Sequence, residues 1–349
     1  MIGHILQPAY TKHFYPETPD SEMLPASLSY ALVTDLLRKK LGFNGLVVTD
    51  STAMAGLAVM LPREQIVPMT IAAGCDMFLF SKNLEEDLAF MKKGYENGVF
   101  DLARLDEAVT RILALKASLG LPEQKEAGTL VPDPEKAKEV LGQKTFKEWG
   151  LECANRAITL VKEEKGILPI TPKRFPRVLF CSLENLGRSF GEFDSPQNPN
   201  YKFYCLLRDA GFEVIPFEPC KGMEGSMPSV DEMKSKYDLI VYSISKRANY
   251  QSTTRIRWET PMAANLPTLC HTIPTIFVSF EYPYYLSDVP HMRTYINCYA
   301  DNSLTMKALL DKLMGKSEFV GISPVDAFCG KWETRVQFGP DLHLEEIPV

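Results

Sequence analysis

The 349-residue chain has only five histidines, and its eight cysteines (75, 153, 181, 205, 220, 270, 298 and 329) form no C-x-x-C pair. No two histidines stand at metal-ligand spacing, so a zinc site is not expected and nothing calls for a metal or cofactor. Cysteine occurs about once in 44 residues, too sparsely for a disulfide scaffold. Most cysteines sit among apolar neighbours, as Cys181 does in "VLFCSL", and read as buried reduced thiols. That usage points to a cytoplasmic protein. No Lys/Arg cluster offsets the net charge of −6, which argues against nucleic acid or an anionic membrane as a partner. No apolar run is long enough to span a bilayer. The opening "MIGHILQPAY" lacks a basic n-region and breaks at Pro8, so it does not read as a signal peptide. The phosphate-cradling patterns G-x-G-x-x-G and G-x-x-x-x-G-K-[ST] are missing, and so is the G-x-S-x-G nucleophile elbow.

What is present is an ordinary globular balance, 45% hydrophobic and 23% charged, with length for two domains. The first third alternates apolar runs with helical periods. Short runs at 1–6, 45–50 and 75–80 predict strands. Leu28, Leu32, Val33, Leu36, Leu37 and Leu41 recur at helical spacing, with Gly42 as a stop. A looser helix is expected over 63–73, where Pro68 is an awkward guest. A further helix over 84–96 is expected to bury Leu84, Leu88, Met91 and Tyr95. The last helix starts at Asp101 and carries Leu105, Val109, Ile112 and Leu119 as one stripe, stopping at Gly120. Such a β-α-β-α-β-α order with apolar strands describes a parallel sheet covered by helices. Residues 122–145 are charged and rich in breakers, as an interdomain connection is. "AITLVKEEKGILPI" reads as a strand with a turn at Lys165-Gly166. Further strands are expected at 177–183, 213–217, 238–244, 274–280 and 293–299, with helices at 145–156, 200–210, 258–270 and 303–315, a second α/β unit.

One run ends in a carboxylate. In "GFNGLVVTDSTAMAG" the strand passes straight into Asp50. Parallel α/β architectures place function at the C-terminal ends of their strands, so Asp50 is either a reacting group or a turn carboxylate. Asp76 stands at the start of its strand, where conserving the fold is the usual duty. His4, near the end of the first run, reads as a pocket-wall or core histidine.

Several blocks follow one another in a familiar order: "GHILQPAY", "LPASLS", "LLRKKLGFNGLVVTDSTAMAG", "AAGCDMFLF" and "LDEAVTRILALKASLGL". They resemble glycoside hydrolase family 3, most closely its β-N-acetylhexosaminidase branch. "ANRAITLVKEEKGILPI", "PTIFVSFEYPYYLSDVP" and "GKSEFVGISPVDAFCGKWETR" are similar to that family's later segments. The resemblance implies the last three βα units of a TIM-type (β/α)8 barrel over 1–121, a linker and connecting helix over 122–155, and an α/β/α sandwich over 156–349. It implies a retaining, exo-acting enzyme in which Asp50 is the nucleophile and Ser51, Met54 and His4 lie at the sugar. The substrate would be a small β-linked N-acetylglucosaminide or glucoside, with no metal or cofactor. A β-glucosidase or glycoside phosphorylase of the same family is the alternative within the class. A non-catalytic fragment or interaction protein is the alternative outside it.

The family's earlier barrel units, with their sugar-gripping residues and the loop histidine that acts as acid/base, have no counterpart in this sequence. Lys12-His13-Phe14-Tyr15-Pro16 mimics the first letters of that loop, but it follows the "GHI" strand and lacks the second histidine and the glycines. Three parallel strands cannot close a barrel. Such a unit is expected either to recruit a chain supplying the missing barrel half or to leave its edges and apolar faces open.

Overall fold

The computed structural model describes residues 1–183, 193–218, 229–246, 254–258 and 265–337. The chain divides into two compact units, Met1–Ala137 and Lys138–Val349. Both are α/β.

In the first unit β1 (Val48–Ser51) pairs in parallel with β2 (Met77–Leu79). Ile2 lies parallel on the other side of β1, donating to Val48 O at 2.7 Å and accepting from Asp50 N at 2.8 Å. The expected first strand is therefore a single bridge, and the chain turns away after Gly3. Around this sheet run α1 (Pro8–Phe14), a wide helix over Ala31–Lys40, α2 (Ala55–Ala58), α3 (Arg63–Ala73), α4 (Leu84–Glu96) and α5 (Leu102–Ser118). The wide helix closes with Leu41 N bonded to Leu36 O, five residues back, a π-type spacing. Its N-terminal part buries Ala31, Leu32 and Val33.

Two small cores hold this unit. Leu28, Leu57 and Ile66 form one; Val33, Val47 and Cys75 form the other. The helical stripes do not face inward as expected. On α4, Leu84, Leu88 and Tyr95 are 68%, 54% and 45% exposed, while Asp87 and Gly94 are buried. Gly94 is the seat of Pro68: a Cβ there would come within 2.3 Å of the proline Cβ. The proline in α3 thus meets the one α4 residue without a side chain. On α5 the buried side is Arg104, Ala108 and Arg111, at spacings of four and three, and the Leu105–Val109 stripe is open.

The connection is helical rather than irregular. α6 (Leu121–Glu126) and α7 (Pro134–Val140) occupy it, followed by α8 (Lys144–Ala157).

The second unit is a six-stranded sheet in the order β3-β8-β7-β6-β4-β5. The strands are β3 (Thr159–Lys162), β4 (Arg177–Leu183), β5 (Glu213–Pro216), β6 (Leu239–Ile244), β7 (Thr275–Ser279) and β8 (Tyr295–Asn297). Only β3 runs antiparallel to its neighbour. The two-residue period splits the strands between two cores. Val178, Phe180, Leu239, Val241, Ile276, Val278 and Ile296 join the first, beneath α8, α9 (Pro199–Asp209) and α11 (Ser303–Leu313). Leu179, Cys181, Ile240, Tyr242, Ile244, Phe277 and Tyr295 face the second, with Met233 of α10 (Val230–Lys236), Cys270 and the turn Tyr285–Ser287. The short α12 (Trp332–Arg335) follows near the end of the described chain. Of the helix expected over 258–270, residues 259–264 lie outside the described residues, and 265–270 form turns.

Candidate active site

Asp50 stands at the exit of β1, half-buried. Its backbone N–H is spent on Ile2 O, and its Oδ1 accepts from Ser51 N at 2.7 Å. Its Oδ2 takes no hydrogen bond from a described residue. The carboxylate is therefore oriented through one oxygen, with the other left for chemistry.

The structure brings His4, Ser51 and Met54 to this carboxylate's own segment. The Ser51 carbonyl accepts from His4 Nε2 at 2.9 Å and from Met54 N at 3.1 Å. A carbonyl can only accept, so Nε2 donates to it, while Nδ1 lies 2.7 Å from Ser27 Oγ, a hydroxyl able to donate or accept. Both ring nitrogens of His4 thus serve the protein itself. Ser27 is fully buried. Met54 begins α2 with its side chain exposed. Gly56 lets α2 lie on the His4 segment: a Cβ at 56 would sit 3.2 Å from His4 O.

A second network, which sequence reasoning missed, grips the next residue. Asp87 is buried on the inner side of α4 and takes a fork from Arg63, at 2.7 Å from Nε and 2.6 Å from the second terminal nitrogen. It also accepts from Ser81 Oγ at 2.6 Å and Lys82 N at 3.3 Å. Burial pushes its carboxyl pKa up, but Arg63, Ser81 and Lys82 N outweigh that and hold it below the ordinary value. The same guanidinium reaches Thr52 O at 3.4 Å and Thr52 Oγ1 at 3.3 Å. Thr52 Oγ1 donates to the carbonyl of Phe80, an exposed residue in the left-handed region with φ +57°. Nothing in residue spacing flags this network, since Arg63 and Asp87 lie 24 positions apart.

Asp76 belongs to the other end of the sheet. Val47 N, Arg38, Arg104 and Arg111 converge on it at 2.9, 2.7, 2.6 and 3.2 Å. A 560 Å³ cleft lies at that end too, lined by Gly45, Leu46, Glu107, Arg111 and Ala114 among others. It opens on the start of β1 and does not include Asp50.

His13 stands 3.2 Å from Lys40 Nζ and packs edge-on against Phe14, and Tyr15 OH donates to Asp35 at 2.7 Å. The Lys12–Pro16 stretch thus seats α1 on the wide helix. His343 lies outside the described residues. Among the described residues no group of three His, Cys, Asp or Glu side chains could hold a metal, and no helix is long and apolar enough to cross a membrane.

An α/β chain with a half-free carboxylate at a parallel strand's exit is the class in which glycoside hydrolases of the β/α type are found. The chain matches the glycosyl hydrolase family 3 N terminal domain over residues 1–115. It is 49% identical over 338 residues to the beta-N-acetylglucosaminidase/beta-glucosidase of Cellulomonas fimi, covering 96% of this chain and 59% of that protein. Two structures of the beta-glucoside phosphorylase BglX, one bound to 2FGlc, superpose with TM-scores of 0.86 and 0.84 at 38% and 37% identity. They cover 96% and 95% of this chain and 58% and 57% of theirs. The family 3 beta-N-acetylglucosaminidase of Paenibacillus sp. str. FPU-7, at 21% identity and TM-score 0.66 over 87% of this chain and 55% of that one, shares the fold. The chain thus spans just under three-fifths of the first relatives it matches.

Proposed function

We propose that this chain carries the nucleophile of a retaining, exo-acting family 3 glycosidase acting on small β-linked N-acetylglucosaminides or glucosides. In this reading the first unit represents the last three βα units of a TIM-type barrel, and the second an α/β/α sandwich. A chain supplying the missing barrel half would complete the site. The carrying observation is Asp50: one oxygen fixed by Ser51 N, the other without a hydrogen bond among the described residues, at the end of a parallel strand.

In the first step an Asp50 oxygen bonds to the anomeric carbon as the bond to the leaving oxygen breaks. The leaving group takes the bonding pair and, for an alcohol, a proton. Water then attacks the same carbon from the opposite face, gives up a proton to the solvent and releases Asp50 as the carboxylate, with net retention. Ser51 and Met54 flank the sugar, and His4 supports the wall behind Ser51. No residue of this chain is assigned as the proton donor to the leaving oxygen. Positioned proton donation is typically worth about 10²–10⁴-fold, so alkyl glycosides should suffer most without it. Glycosyl fluorides and dinitrophenyl glycosides need no such proton and are the substrates of choice. The likeness to a phosphorylase favours testing phosphate beside water as the acceptor. The buried, unpaired thiols of Cys75, Cys181 and Cys298 favour a reducing, cytoplasmic setting.

The test is covalent trapping. The chain is treated with activated 2-deoxy-2-fluoro glucosyl and N-acetylglucosaminyl donors, digested and mapped by mass. A label on Asp50 is expected. A label on another side chain, or turnover with inversion, overturns the reading.

A further inference from the structure

We propose that His4 with Ser27, and Arg63 with Asp87, are positioning residues that hold the Ser51 and Thr52 carbonyls and thereby aim the Asp50 carboxylate. The inference rests on Asp50 as nucleophile. β1 is only four residues long, and its pairing with β2 shifts register between Val48 and Ser51. Neighbouring backbone holds the amides of this stretch, Asp50 N on Ile2 O at 2.8 Å and Thr52 N on Leu79 O at 3.1 Å. Side chains from two other segments hold the carbonyls. His4 reaches Ser51 O from the chain start, and Arg63 reaches Thr52 O and Oγ1 from α3.

Each brace is itself anchored. Ser27, fully buried, bonds the far nitrogen of His4. Asp87, equally buried, takes two guanidinium nitrogens of Arg63 and so fixes the plane of the fork. The two carbonyls are consecutive, so the peptide between them cannot rock without breaking one contact. Asp50 Oδ1 hangs on Ser51 N, and a shift in this backbone moves the carboxylate directly. A nucleophile displaced by about 1 Å can lose about 10²-fold in rate while binding is little changed.

The experiment uses the full 349-residue chain and two pairs of variants. His4→Phe removes both nitrogens, and His4→Gln restores a donor near the Nε2 position. Arg63→Met removes the fork, and Arg63→Lys keeps the charge with a single nitrogen. Inactivation by the activated fluoro sugar gives a rate constant and a half-saturation concentration for each. The rate constant should fall about 10- to 100-fold in the Phe and Met variants, with half-saturation changed less than about threefold. Gln should recover part of the rate, and Lys less than Gln, because a point charge cannot replace the fork. Rate constants within about twofold of the unsubstituted chain overturn the proposal, as does a rise in half-saturation alone at His4, which would make it a sugar contact instead. If Arg63→Met fails to fold, Arg63→Lys carries the comparison. Should the unsubstituted chain take no label, the reading that this chain by itself presents a competent nucleophile falls. Amide exchange at Ser51–Ala53 then decides the braces: faster exchange in the variants supports them, and unchanged exchange removes them.

Discussion

Asp50 and Asp76 lie 26 positions apart at opposite ends of one small sheet, and their surroundings divide their duties. Asp50 keeps one oxygen free. Asp76 is saturated: a backbone N–H and three arginines converge on it. Burial raises the Asp76 pKa, but Val47 N, Arg104 and Arg38 outweigh it and leave the carboxyl below its ordinary value. A carboxylate lowered on folding contributes stability in full above the unfolded pKa of about 3.9, and loses it as pH falls from there through the folded value. Asp76→Asn takes the carboxylate from Arg38, whose side chain is 8% exposed, while Arg104 and Arg111 keep their pairing with Glu107. At pH 7 it should destabilise the first unit by about 3–5 kcal/mol. From about pH 3.9 downward the gap from the unsubstituted chain should narrow, because the unfolded side chain takes up a proton there while the folded carboxylate, with its lowered pKa, resists it. Urea unfolding of both chains at pH 7 and pH 3 measures this. A gap that stays constant with pH would show that Asp76 acts through shape and not through charge.

At the scale of elements, the contact of α3 with α4 turns on one glycine. Pro68 sits in α3, and Gly94 in α4 makes room for its ring. Gly94→Ala improves helix propensity by about 1 kcal/mol, but its methyl must enter a space 2.3 Å from Pro68 Cβ. Overpacking typically costs about 1–3 kcal/mol, so net destabilisation is expected, and in the double variant Pro68→Gly, which removes that Cβ, should relieve the contact more than Pro68→Ala, which keeps it. Equal thermal midpoints for Gly94→Ala and the unsubstituted chain would refute the close contact. The same pair shows what the sequence discloses and what it hides. In the second unit the strands are buried on both faces and read as apolar runs, so 177–183 reads as a strand with the bounds that β4 has. In the first unit the helical stripes predict the wrong sides of α4 and α5. There an arginine–aspartate fork and an arginine cluster take the buried positions, and periodicity counts only apolar residues. Asp50 at a strand end is visible from "GLVVTD" alone. Its braces are not, because Arg63–Asp87 and His4–Ser27 are pairings between distant segments with no spacing rule.

At the scale of the whole chain the two units differ in how much they bury. The second packs two extensive cores against a six-stranded sheet. The first has two cores of three buried residues each, and leaves Leu84, Leu88, Leu105, Val109 and Leu113 in solvent along α4 and α5. Apolar stripes of this kind on a soluble surface mark either an interface or a liability. The first unit should therefore unfold at lower denaturant than the second, and a hydrophobic dye should bind the native chain through α4 and α5. Leu88→Glu with Val109→Glu should abolish much of the dye signal while leaving the second unit's transition in place, because neither residue belongs to a core. A single cooperative transition with no dye binding would mean that these stripes are covered in solution, and the picture of an open first unit would have to be abandoned.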